Sequence, residues 1–285
     1  MEIERAKELG FCFGVRRAIT ILERAAQKHG EITTLGPIVH NPRVVEMLAE
    51  MGITVTDNLG KVKGGTLAVT THGVGPEVLA EIKARRLSLI DTTCPIVRSA
   101  QKVAQKLSGA GFWVVIFGDA AHLEVKGLLS WVGNKAIATL NANEVLGITP
   151  MPQRLGVLSQ TTQSQPNFYG FLKEILGVAL SKVREVRIVN TICAATQKRQ
   201  GEALELAQRS ELMIVVGGRN SANTQRLVEV CSSLAETYLV ESASEINEDW
   251  LLGKNHVGIT AGASTPDQAI DEVVSRLKSL SQPVI

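Results

Sequence analysis

Three of the four cysteines share one repeated context, and this repeat limits the fold more than any other feature of the 285-residue chain. Cys12, Cys94 and Cys193 each end an apolar run and open a stretch with helical spacing. Twenty-four residues beyond each cysteine lies a glycine: Gly36, Gly118 and Gly217. Twenty-eight residues beyond lies a polar side chain able to hold a ligand: His40, His122 and Ser221. Agreement at two offsets in three copies predicts one unit of strand, cysteine, helix, strand, glycine and polar group, used three times. It also predicts that the three cysteines meet at a common centre. Cys231 stands outside the repeat. It shares a helical stripe with Leu227 and Leu234 and reads as core.

Between these landmarks, strand and helix patterns alternate. Short apolar runs at Ile3 to Leu9, Ile32 to Leu35, Thr66 to Thr70, Phe112 to Phe117, Leu155 to Leu158, Val186 to Val189, Leu212 to Val216, Tyr238 to Val240 and Val257 to Ile259 read as strands. Unbroken apolar runs such as Phe112 to Phe117 suit a parallel sheet covered on both faces. The class expected is therefore α/β with parallel sheets, in three similar units: 1–92 around Cys12, 93–191 around Cys94 and 192–285 around Cys193.

Composition removes several functions. A net charge of +2 and an aromatic share of 4% offer neither a basic field nor stacking platforms, so nucleic acid is not an expected partner. No apolar run is long enough to cross a bilayer, and the charged start Met1-Glu2-Ile3-Glu4-Arg5 lacks a signal-peptide pattern. No membrane association is expected, and the cytoplasm is the expected location. The chain has no C-x-x-C pair, which argues against thioredoxin-type redox sites and most zinc ribbons.

In open α/β sheets ligands bind beyond the carboxyl ends of the strands. Six predicted strand ends carry clusters headed by His40, His72, His122, Thr161, Ser221 and Ser264. Neutral donors, histidines and helix N-termini together suit an anionic, phosphorylated small ligand. No G-x-x-x-x-G-K-[ST] motif points to a nucleoside triphosphate. Three converging thiolates suit zinc or an iron–sulfur cluster. Structural zinc usually takes four ligands, whereas a three-cysteine cubane leaves one iron open to a substrate. Glu124 lies 30 residues after Cys94, the offset that places Asn223 after Cys193. It reads either as a first-turn helix acid or as a proton donor in a water-poor pocket.

Seven motifs carry a resemblance. Gly10-Phe-Cys-Phe-Gly-Val, Gly36-Pro-Ile-Val-His-Asn-Pro, Thr71-His-Gly-Val, Gln160-Thr-Thr-Gln, Asn190-Thr-Ile-Cys, Asn220-Ser-Ala-Asn-Thr and Thr260-Ala-Gly-Ala-Ser-Thr-Pro resemble the 4-hydroxy-3-methylbut-2-enyl diphosphate reductase family, also called LytB. They fall in the family's order over almost the whole chain. Leu123 departs from the proline usual in that family.

The resemblance implies a pseudo-three-fold trefoil of α/β units around a central [4Fe–4S] cluster held by Cys12, Cys94 and Cys193, with one iron not ligated by protein. It implies an oxidoreductase of the non-mevalonate isoprenoid pathway. The reaction would be reductive dehydroxylation of (E)-4-hydroxy-3-methylbut-2-enyl diphosphate, an allylic diphosphate, to isopentenyl and dimethylallyl diphosphate. His40, His72, His122, Ser221, Asn223 and Ser264 would hold the diphosphate, and Thr161 the substrate hydroxyl. Glu124, with Thr161 and His122, would serve the chemistry, and a ferredoxin or flavodoxin would supply electrons. An open-iron hydro-lyase and an iron–sulfur sensor are the competing functions, separable by reductant consumed per product formed.

Overall fold

The computed structural model describes residues 1–62 and 65–281; the parts of the expected units at 63–64 and 282–285 lie outside the described residues. The chain opens with β1 (Glu2–Arg5) and the cysteine-led helix α1 (Phe13–His29). The first repeat continues with β2 (Ile32–Leu35), α2 (Pro42–Glu50), β3 (Ile53–Thr56), β4 (Thr66–Val69), α3 (Pro76–Ala84) and β5 (Ser88–Asp91). The second contains α4 (Pro95–Gly109), β6 (Trp113–Phe117), α5 (Leu123–Val132), β7 (Ala136–Thr139), α6 (Ala142–Leu146), β8 (Arg154–Ser159), α7 (Gln165–Ala179) and β9 (Glu185–Val189). The third contains α8 (Ala194–Ala207), β10 (Leu212–Val216), α9 (Ala222–Ser232), β11 (Glu236–Val240), β12 (His256–Ala261) and α10 (Asp267–Ser281).

The described strands form three four-stranded sheets, ordered β3-β2-β4-β5, β7-β6-β8-β9 and β11-β10-β12-β1. Every ladder is parallel. The α/β class with parallel sheets is thus present, and the topology repeats. In each sheet the strand after the cysteine-led helix lies between the second and third strands, and a fourth closes the far edge. The sequence order suggests that β1 belongs with the first repeat. It pairs instead with β12, Glu2 opposite His256 and Arg5 opposite Ile259, and so fills the place that β5 and β9 fill elsewhere.

Two compact units result. One comprises Met1–Arg16, Val39–Met51 and the described part of Ala194–Ile285; the other comprises Arg17–Ile38 and the described part of Gly52–Cys193. In the first, strand alternation splits β10 between two apolar layers. Ile214 and Val216 pack with Ile259 and with Ile270, Val273 and Leu277 of α10. Met213 and Val215 face Leu206, Leu227 and Cys231. In the second unit Val115, Phe117 and Val157 meet Phe168, Phe171 and Ile175 of α7. Val114 and Ile116 turn to Ala104, Leu107 and Leu128. Each such large side chain contributes roughly 1.5–3 kcal/mol through burial.

Cys231 is core, as its stripe predicts, and burial pushes its thiol up to about 12. Leu234 is not. It lies past the end of α9 and is 48% exposed.

Candidate active site

The three cysteines each immediately precede the first residue of a helix: Cys12 before α1, Cys94 before α4 and Cys193 before α8. None of the three is in a disulfide, and all are partly exposed. Their backbones are tied in the same way. The N–H of Cys12 donates to Ala263 O at 3.0 Å, that of Cys94 to Thr71 O at 3.0 Å, and that of Cys193 to Thr161 O at 2.9 Å. Each acceptor lies in the loop after the third strand of a sheet. Those loops carry Ser264, His72 and Thr161, so each cysteine is locked to a loop bearing a predicted ligand group.

Two of the cysteine loops show further fastening that sequence reading missed. Asp91 Oδ1 accepts from Thr93 N and Asn190 Oδ1 from Ile192 N, both at 3.0 Å, forming matched Asx turns. The Thr92 hydroxyl donates to Val69 O, and the Thr191 hydroxyl to Ser159 O. Those carbonyls belong to the last residues of β4 and β8. The signal was available as Asp/Asn-Thr-x-Cys before two of the three cysteines.

In the second unit, α5 starts where β6 delivers the chain. His122 is its N-cap, Nδ1 accepting from Glu124 N at 3.1 Å, which leaves the ring hydrogen on Nε2. Leu123 takes the first helical position, and the helix begins there without proline. The His72 ring stands edge-on to that of His122, with centroids 5.4 Å apart, and its Nδ1 lies 3.2 Å from Thr70 Oγ1.

Glu124 is 2% exposed. Its Oε1 accepts from Thr161 N at 2.7 Å and its Oε2 from Thr161 Oγ1 at 2.8 Å. Burial pushes the carboxyl from 4.5 up to about 7, against the two Thr161 hydrogen bonds, which favour the charged form. A solvated first-turn acid would show neither the burial nor the shift. Thr161 thus connects a carboxylic acid poised near neutrality to the loop that fastens Cys193.

The first unit repeats the plan with different chemistry. Ser221 caps α9, accepting from Thr224 N at 3.4 Å. Asn223, in the place of Glu124, is buried, and among the described residues neither its Nδ2 nor its Oδ1 has a partner. Ser264 Oγ is likewise buried and unpartnered. Unpaired buried polar atoms cost about 1–3 kcal/mol each. Three such atoms on neighbouring loops are able to donate to and accept from a polar ligand. His40 is half-buried, which pushes its imidazole below the usual range. Gly218 lets the loop after β10 reach it, since a Cβ there would lie 2.2 Å from His40 O.

Parallel sheets whose carboxyl ends carry a buried acid, cysteines outside any disulfide and buried polar groups define an α/β enzyme that binds a polar small molecule. A family model described as LytB protein matches residues 3–278. Proteins named 4-hydroxy-3-methylbut-2-enyl diphosphate reductase are similar from end to end. That of Dehalococcoides mccartyi (strain CBDB1) is 48% identical over 281 residues, covering 99% of both chains. That of Geobacter metallireducens is 47% identical, covering 98% of both.

Among solved structures, the E-1-hydroxy-2-methyl-but-2-enyl-4-diphosphate reductase from Plasmodium falciparum aligns with a TM-score of 0.90 at 25% identity, covering 99% of this chain and 89% of that one. A second, described as (E)-4-hydroxy-3-methyl-but-2-enyl diphosphate reductase, the terminal enzyme of the non-mevalonate pathway, aligns at 0.70 and 36%, covering 98% and 100%. The chain belongs to the LytB family.

Proposed function

We propose that this protein reduces (E)-4-hydroxy-3-methylbut-2-enyl diphosphate to isopentenyl and dimethylallyl diphosphate, consuming two electrons and two protons and releasing the hydroxyl as water. The observation that carries this reading is Glu124. It is a buried acid near neutrality, hydrogen-bonded to Thr161, in a chain that matches named reductases over its full length.

The metal site is Cys12, Cys94 and Cys193. Three soft sulfur ligands at helix starts, none in a disulfide, fit a [4Fe–4S] cluster with one iron not ligated by protein. When bound, that group supplies electrons and an open Lewis-acid position. The working location is the cytoplasm, where the partly exposed thiols stay reduced. A ferredoxin or flavodoxin is the electron donor.

The chain's own residues bind the substrate and deliver the proton. The diphosphate-binding residues are His40, His72 and His122 with Ser221, Asn223 and Ser264. Asn223 and Ser264 contribute polar atoms that lack protein partners. Protonated Glu124 donates from Oε2 to Thr161 Oγ1, which turns its own hydrogen toward the substrate hydroxyl. The ionised acid then accepts both Thr161 donors, as the geometry has them. Burial keeps water from competing for this proton.

The test is anaerobic incubation of the iron- and sulfide-reconstituted protein with this diphosphate and a chemical reductant. The expected result is one two-electron equivalent consumed per product formed. Conversion without reductant would make the protein a hydro-lyase, and no conversion at all would overturn the reading.

A further inference from the structure

The three cysteine loops are fastened alike except at one point. Before Cys94 and Cys193, threonine hydroxyls close on the last carbonyl of the third strand, Val69 and Ser159. Before Cys12 the matching residue is Gly10, which has no hydroxyl, and the matching carbonyl is that of Ala261 at the end of β12. Registers confirm the equivalence: Leu35 pairs with Val69, Phe117 with Ser159 and Val216 with Ala261. A guanidinium takes the place of the hydroxyl. Arg199 of α8 donates from Nη1 to Ala261 O at 2.6 Å and from Nη2 to Gly10 O at 2.9 Å. Glycine suits this position because its φ is +69°, in the left-handed region.

A buried cation is an expensive replacement for a threonine. Arg199 is 3% exposed, and its hydrogen bonds to Ala261 and Gly10 go to neutral carbonyls. Among the described residues it has no carboxylate within ion-pair distance. The nearby acids are engaged: Glu202 Oε2 accepts from Glu8 N, and the Glu8 carboxylate pairs with Lys198. Of the titratable groups around the guanidinium, Cys12 acts on it most strongly, ahead of Glu8 and Glu202. The equivalent positions on the other cysteine-led helices, six residues past each cysteine, are the buried alanines Ala18 and Ala100. Packing alone therefore does not call for an arginine here. A cysteine that carries negative charge when it holds a metal would.

We propose that Arg199 is a positioning residue for Cys12, fixing the loop that presents this thiolate and placing a permanent positive charge behind it that raises the reduction potential of the metal centre. This rests on the reading of the three cysteines as ligands. A fixed cation stabilises the more negative, reduced state of such a centre, and a guanidinium stays charged throughout the working pH range.

The experiment compares wild type, Arg199→Gln and Arg199→Lys after anaerobic reconstitution, measuring iron and sulfide content and the midpoint potential by EPR-monitored titration. Arg199→Gln should hold at least tenfold less of its reduced form at a given potential, a downward shift of about 59 mV for one electron. Arg199→Lys keeps the charge and should return to within threefold of wild type. An unmoved potential in cluster-loaded Arg199→Gln overturns the inference while leaving the ligand assignment intact. A wild-type protein that takes up no iron overturns the ligand assignment and the inference together. If Arg199→Gln does not fold, Arg199→Lys carries the test. A folded, loaded lysine variant shifted tenfold refutes the charge assignment, and an unshifted one supports it.

Discussion

Replacing Glu124 by glutamine separates the cost of holding this acid from its use. A rise from 4.5 to about 7 on a fully buried carboxyl corresponds to about 3 kcal/mol between its two protonation states. The sign follows from which state binds the proton more tightly, and here it is the folded one. Below pH 4.5 both states are protonated and the burial costs nothing extra. Between 4.5 and about 7 the unfolded carboxyl ionises while the folded one keeps its proton, so stability declines as pH rises. Above about 7 both are ionised, and the native state bears the whole penalty.

Glutamine mimics the neutral acid. Its Oε1 can accept from Thr161 N, and its amide can donate to Thr161 Oγ1 in place of the acid proton. Glu124→Gln should therefore match wild type near pH 4.5 and exceed it by about 3 kcal/mol near pH 8. Denaturant midpoints of the cluster-free protein across this range provide the assay. A wild-type-minus-variant difference that stays flat with pH would refute the buried-acid account. The same variant should lose about two to four decades of turnover, because the amide has no proton to give at useful rates. Wild-type kcat/KM should fall as pH rises through about 7, where the donor ionises.

Thr161→Val removes one of the two hydrogen bonds that favour ionised Glu124. The alkaline limb of the pH–rate profile should move upward, with turnover about tenfold to a hundredfold lower. Asn223→Ala removes two buried polar atoms that have no protein partner. Affinity for a diphosphate should fall about tenfold to a hundredfold by calorimetry, while the melting temperature of the ligand-free protein holds or rises. Cys231→Ser buries a hydroxyl in an apolar layer and should cost about 1–3 kcal/mol in unfolding while iron and sulfide content stays at the wild-type value. The same change at Cys12, Cys94 or Cys193 should lower that content.

The repeat was legible because each copy places its glycine directly after the first strand of a sheet and its polar residue at or beside a helix N-cap. Both positions have strong local preferences. Gly36 and Gly217 have φ of +87° and +151°, and His122 and Ser221 are caps. Strands β3 and β7 left little trace because they are short edge strands with partly exposed faces. The place of β1 was hidden for another reason, since its partner β12 lies at the opposite end of the chain. Arg199 sits in the run Gln197-Lys198-Arg199-Gln200, which reads as a solvated helix face. Only the structure shows that Arg199 and Gln200 turn inward while Lys198 reaches out to Glu8.

Equivalent backbone positions in this fold carry unlike chemistry, and the pairing of adjacent strands explains how an acid finds its partner. In each sheet the loops after the first and third strands are neighbours because those strands are hydrogen-bonded in register. A side chain in the first turn after one therefore stands near the loop after the other. Between β6 and β8 that juxtaposition brings Glu124 onto Thr161, a donor pair that holds the acid without a cation. Had a lysine or arginine stood there, the carboxyl would stay ionised and could not donate. Between β10 and β12 the same two loops carry Asn223 and Ser264, neutral polar groups whose buried atoms have no protein partner among the described residues. The scaffold thus fixes where side chains meet, and the residues at two matched positions decide whether the meeting point holds a titratable acid or neutral polar groups.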